Sequence, residues 1–161
     1  MLTFAALAVP EQGVKRGAAM TKLNANSRMA LTRARLAIRD DHRRLDEMAV
    51  NLQKASDRPA LASVLETMYP VLLAHFAHEE RPRGLFSALE LCIPEHRESL
   101  QRLIQEHQKF ASSIASILQR AKQKAENGWA FLVQEVEQFL EKLHLHEKTE
   151  DDLIEAAMAK A

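Results

Sequence analysis

Two stretches of the chain, HFAHEE at residues 75–80 and HLHEKTEDD at 144–152, each set a histidine four residues ahead of a glutamate: His75 with Glu79 and His146 with Glu150. On a helix, residues four apart lie one above the other, so each imidazole and carboxylate reach the same point in space. A buried ionised carboxylate costs several kcal/mol unless something pairs with it. A metal cation is one partner that accepts both kinds of donor. His42 and His107 lie within apolar helical stripes of their own. The candidate ligand set is therefore His42, His75, Glu79, His107, His146 and Glu150. A structural zinc is satisfied by four ligands, mostly Cys and His, which six nitrogen and oxygen donors exceed. Mixed imidazole and carboxylate ligation suits iron, and carboxylates can bridge two metals. The chemistry expected is a non-haem di-iron centre bridged by Glu79 and Glu150, with roughly two histidines per iron and positions left for water, hydroxide or a diatomic ligand.

The elements that must position these groups are helices. Gly is scarce, at 4 residues, aromatic residues make up 5%, and Ala, Leu, Glu, Lys, Arg and Gln are abundant, a helix-favouring composition. Breakers at SDRP (56–59), LCIP (91–94) and ENG (126–128) divide the chain into four segments. These run from about Ser27, read as an N-cap, to Ala55; from Pro59 to Leu89; from Pro94 to Ala125; and from Trp129 to the C-terminus. The fold class is all-α, an antiparallel up-down-up-down four-helix bundle. Residues 1–26 are expected to be a loose tail ahead of a bundle spanning 27–161, with Met20 an alternative start. Apolar residues recur at three- and four-residue steps on every helix, and each stripe contains one of the four histidines.

In an antiparallel hairpin, residues at equal depth lie equidistant from the turn. The midpoint of His42 and His75 is 58.5, within SDRP; that of the 75/79 pair and His107 is 92, within LCIP; that of His107 and the 146/150 pair is 127.5, within ENG. The four histidines should thus share one layer. A single histidine on an apolar stripe reads as a satisfied core residue; four at one depth, two followed by glutamate, favour a site. The same geometry sets His96 aside, turns His144 roughly 160° away from His146, and leaves His78 on a flank, read as surface.

Other chemistries find less support. Lys plus Arg equals Asp plus Glu, 22 each, so no general basic surface for nucleic acid is indicated; the basic stretch at 28–44 reads as a solvated helix face. The single cysteine, Cys92, rules out an intramolecular disulfide and fits a reducing, cytoplasmic setting. No uninterrupted apolar run approaches the roughly 18 residues of a membrane span, and the weakly apolar start lacks the features of a signal peptide. The ferritin-like pattern needs two Glu-x-x-His motifs on separate helices; the one present, Glu141 to His144, lies off the core stripe. No phosphate loop or serine triad is evident.

The residues resemble the hemerythrin-like family, the HHE cation-binding domain, over about residues 35–160. HFAHEERPRGLF is similar to that family's second-helix His-Phe-x-x-Glu-Glu element followed by Leu-Phe. QEHQKF resembles its third-helix Glu-His, HEKTEDDLI its final His-x-x-x-Glu or His-x-x-x-x-Asp element, and DDHRRL its first-helix histidine. The resemblance implies the same bundle and the same six ligands, with Asp151 as an alternative terminal carboxylate. It does not extend to the full ligand set of oxygen-carrying members, which place two histidines four apart on the third helix, where this chain has Leu103 and Ala111 around His107. Pro70 and Pro82 should kink the second helix, and a kink at Pro82 would let Glu80 swing in as an extra ligand. The expected role is binding or sensing dioxygen, nitric oxide, or redox and iron state. The alternatives are a di-iron enzyme acting on peroxide or Fe(II), disfavoured because no distal acid or base is identifiable, and a metal-free interaction bundle.

Overall fold

The computed structural model describes residues 15–123 and 128–160, with side chains from residue 25 onward. The described residues form five α-helices: α1 (Lys15–Gln53), α2 (Arg58–Glu80), α3 (Leu85–Cys92), α4 (Arg97–Lys122) and α5 (Trp129–Lys160), with one 3-10 turn at Pro94–His96 before α4. Among the described residues there is no strand. The four long helices close a ring in which α1 packs on α2, α2 on α4, α4 on α5 and α5 on α1. Each helix neighbours the next in sequence, which is the up-down-up-down arrangement.

Local chemistry accounts for the helix ends. Asp57 caps α2: its side chain accepts the Ala60 N–H at 2.8 Å. Pro59 stands in the first turn, where a missing N–H costs nothing. α1 is longer than the sequence suggests, since Ser27 is buried within the helix rather than at its start. Most of the proposed tail, and the ENG break up to Asn127, lie outside the described residues. α4 begins at Arg97 because Pro94–His96 forms the tighter turn first.

The second segment differs most from expectation. It is two helices rather than one kinked helix. α2 stops at Glu80, with Arg81 N–H bonded to the Ala77 carbonyl at 3.1 Å. Pro82 cannot continue the ladder, Arg83 takes φ 67°, and Gly84 folds back against α2. A Cβ on Gly84 would lie 2.5 Å from the carbonyl oxygens of His78 and Glu79 and 2.8 Å from that of Arg81, so only glycine fits. The chain then enters α3, which buries Leu85, Phe86, Ala88 and Leu89 and packs against α1, α2 and α5.

Buried apolar residues form two clusters. One gathers Leu45, Leu65, Met68, Leu72, Ile114 and Leu143 with their neighbours. The other gathers Leu31, Ile38, Leu89, Leu103, Leu153 and Ile154. Each fully buried aliphatic side chain contributes roughly 1.5–3 kcal/mol. An 18-residue window within Arg58–Cys92 reaches a mean hydropathy of 1.4, long and apolar enough by composition to cross a membrane. Here that apolarity serves the bundle interior: Leu61, Leu65, Met68 and Leu72 are buried there, followed by His75 and Glu79.

Candidate metal centre

Between the two apolar clusters lies a polar layer. Along α1 the order is Ile38, His42, Leu45; along α4 it is Leu103, His107, Phe110; along α5 it is Leu143, His146, Glu150, Leu153. α2 contributes His75 and Glu79, which with Glu150 are fully buried. The structure brings all six sequence-predicted side chains together. They fall into two groups of four, His42–His75–Glu79–Glu150 and Glu79–His107–His146–Glu150, within each of which one donor atom per residue lies within 4.8 Å of the others.

Each carboxylate faces both pairs of imidazoles. Glu79 Oε1 lies 3.5 Å from His75 Nε2 and 3.8 Å from His42 Nε2, while its Oε2 lies 3.3 Å from His107 Nε2. Glu150 Oε2 lies 3.6 Å from His42 Nε2, and its Oε1 lies 3.2 Å from His146 Nε2 and 3.9 Å from His107 Nε2. Both oxygens of both glutamates, both ring nitrogens of His75 and Nε2 of His42 are buried with no hydrogen-bond partner. Such groups are rare in a folded interior because each retains its desolvation penalty. A multivalent cation resolves them together. His107 Nε2 and His146 Nε2 are 3.0 Å apart, so the two rings turn their inner nitrogens toward one point.

The outer faces of the rings are held as well. His107 Nδ1–H donates to Glu80 Oε1 at 2.6 Å, and His146 Nδ1–H donates to Glu106 Oε2 at 2.8 Å. A carboxylate on Nδ1 fixes the tautomer that leaves the Nε2 lone pair facing inward and makes the imidazole a stronger ligand. His107 also stacks on Phe76, with centroids 3.9 Å apart and planes 10° from parallel, and lies 5.4 Å from Phe86. Glu80 thus does not swing in as a ligand; it braces His107 from outside. Asp151 is exposed on α5, and Glu150 takes the inward position. His78 is half-exposed and pairs with Asp41 at 2.8 Å. His144 faces out, and His96 sits in the 3-10 turn away from the layer.

Proton affinities follow from this packing. Burial works against charging His42, but the carboxylates of Glu79, Glu147 and Glu150 outweigh it and push its pKa up to about 9. His107 is likewise pushed up to about 9, burial being overcome by Glu150, Glu79 and Glu80. For His75 burial wins, and its pKa falls. Glu150 is held below the ordinary carboxylate range: burial opposes this, and His107 and His146 prevail. Glu147, buried beside the layer, is pushed up to about 7, chiefly by burial.

The family model of the hemerythrin HHE cation binding domain matches residues 35–158. The chain belongs to that family. Neither a curated protein nor a solved structure matches it significantly. Within this hemerythrin domain the His and Glu cluster is a place that could hold a cation. Sequence reasoning did not find the bracing roles of Glu80, Glu106, Phe76 and Phe86. Glu106 directly precedes His107, which was the signal available for it.

Proposed function

We propose that the chain binds a non-haem di-iron centre and uses it to bind or sense dioxygen, nitric oxide, or redox and iron state, in a reducing compartment such as the cytoplasm. The observation that carries this reading is the division of each carboxylate: Glu79 and Glu150 each turn one oxygen toward the His42/His75 pair and the other toward His107 or His146. Two carboxylates with that orientation suit two cations sharing them, and hard oxygen with borderline imidazole donors suits iron. His42, His75, His107 and His146 would be the terminal ligands and Glu79 and Glu150 the bridges. Iron bound there would supply a redox-active Lewis acid with open coordination positions.

The protein's own contribution is orientation and an apolar surround. Glu80 and Glu106 fix the tautomers of His107 and His146. Phe76, Phe86 and Phe110 line the α4 side of the layer, with Phe110 and His146 rings 5.2 Å apart. These rings give that face an apolar, low-dielectric wall, which strengthens each electrostatic interaction behind it. The test is metal content after anaerobic purification, with absorption spectra before and after air. About two irons per chain, with near-ultraviolet bands on oxidation, is the expected outcome. One zinc, or no metal, overturns the di-iron reading. Catalytic turnover of peroxide or Fe(II) would move the chain to the enzyme alternative.

A further inference from the structure

Among the described residues outside the polar layer, one buried ionisable side chain has no assigned role. Glu147 follows His146 on α5, is 9% exposed, and its Oε1 has no hydrogen-bond partner. It lies where two surface pockets between α1 and α5 meet, both of which also reach Asp46 and His144. The pockets differ in charge. The first, about 600 Å³, has His42 in its wall and sets Arg35, Arg39, Arg43 and Lys148 beside Asp46, Glu147 and Asp151. The second, about 370 Å³, is lined by the carboxylates of Asp46, Glu137, Glu141 and Glu147, with no lysine or arginine among the described residues around it. The second, where no cationic side chain offsets the carboxylates, therefore draws a cation more strongly than the first. A cleft lined by one sign of charge concentrates counter-ions and raises their association rate by roughly 10- to 1,000-fold. His42, a donor of the buried cluster, lines the first pocket together with Glu147.

We propose that the acidic pocket between α1 and α5 is the route by which divalent cations reach the buried cluster, with Glu147 as the inner station that passes them to His42. This rests on the reading of the cluster as a metal centre. Glu147 lies outside both four-residue groups of converging donors, so it is a transit group and not a ligand of the resident ions. Asp46, Glu137 and Glu141 are exposed, so they act through their field at the mouth.

The test follows uptake of Co(II) by the metal-free full chain in a stopped-flow spectrophotometer, reading the visible absorption of the bound ion. Glu147→Gln, and the triple variant Glu137→Gln/Glu141→Gln/Glu147→Gln, are compared with the parent and with Glu98→Gln, an exposed carboxylate on α4. The expected result is a roughly 10-fold slower uptake in the triple variant, within the range for electrostatic steering. The difference should shrink as salt is raised. Final stoichiometry should match the parent, and Glu98→Gln should load at the parental rate. Parental uptake by the triple variant overturns the route while leaving the metal centre intact. Fewer cobalt ions bound at equilibrium by Glu147→Gln makes it a ligand and also overturns the transit role. A parent chain that takes up no cobalt removes the metal centre and the route together.

Discussion

At the scale of single residues, the site separates donors from braces. Replacing His75 or Glu79 by alanine removes a fully buried, inward-facing donor from the layer. Metal per chain should fall by half or more, measured by elemental analysis after anaerobic loading. His96→Ala, at the 3-10 turn, should leave it unchanged; equal loss in both would refute the assignment of the layer. Glu106 makes a subtler prediction. Its carboxylate accepts from His146 Nδ1 at 2.8 Å, so Glu106→Gln removes the charge while keeping the shape. Affinity for the metal should drop about 10- to 100-fold, read by competition with a chromophoric chelator, with the fold retained because Glu106 is partly exposed. The six donors were legible in the sequence because they sit on the apolar stripes, where a polar residue needs a reason. Glu80 and Glu106 sit beside the stripes, at angles that solvent-facing residues also occupy. Only the packed helices show that those angles reach a neighbour's imidazole.

At the scale of elements, the turn after α2 does more than connect. α2 ends one residue past Glu79, and the RPRG segment at 81–84 folds back so that Gly84 lies against the last carbonyls of the helix. Gly84→Ala places a methyl 2.5 Å from the backbone oxygens of His78 and Glu79, and backbone cannot rotate aside as a side chain could. Overpacking of this kind costs about 1–3 kcal/mol. The melting temperature should therefore fall, and metal occupancy should fall with it because Glu79 rides on the displaced turn. A variant with lowered stability and full metal content would show that the turn and the site are independent. The sequence displayed Pro82 and Gly84 but left open whether the helix bends there or stops. The answer depends on α3, whose Leu85, Phe86 and Leu89 find burial across the bundle end; that gain appears only once the other helices are in place. The register of the four long helices needed no such knowledge. Equal distance from each turn sufficed to place the four histidines at one depth.

At the scale of the whole molecule, the bundle is two apolar cores separated by a layer of ionisable groups, and the two kinds of region make opposite contributions. The cores stabilise the fold through clusters such as Leu65, Met68 and Leu72 on one side and Leu31, Leu85 and Leu89 on the other. The layer costs stability, since Glu79 and Glu150 are fully buried and neither has a hydrogen-bonded oxygen. Ligation by a cation reverses the sign of the layer's contribution, because binding free energy adds to folding free energy. At a free metal concentration 100 times the dissociation constant, one site contributes about 2.7 kcal/mol. For a chain of this length each kcal/mol shifts the melting temperature by roughly 2–4 °C. Stripping the metal with a chelator should therefore lower the melting temperature by roughly 5–10 °C for each site emptied, and adding iron back anaerobically should restore it. The same treatment applied to Glu79→Ala separates this from a general effect of the chelator. That variant lacks one of the two shared carboxylates, so its melting temperature should be nearly indifferent to metal. A parent chain equally indifferent would mean that the polar layer is tolerated for some reason other than a bound cation.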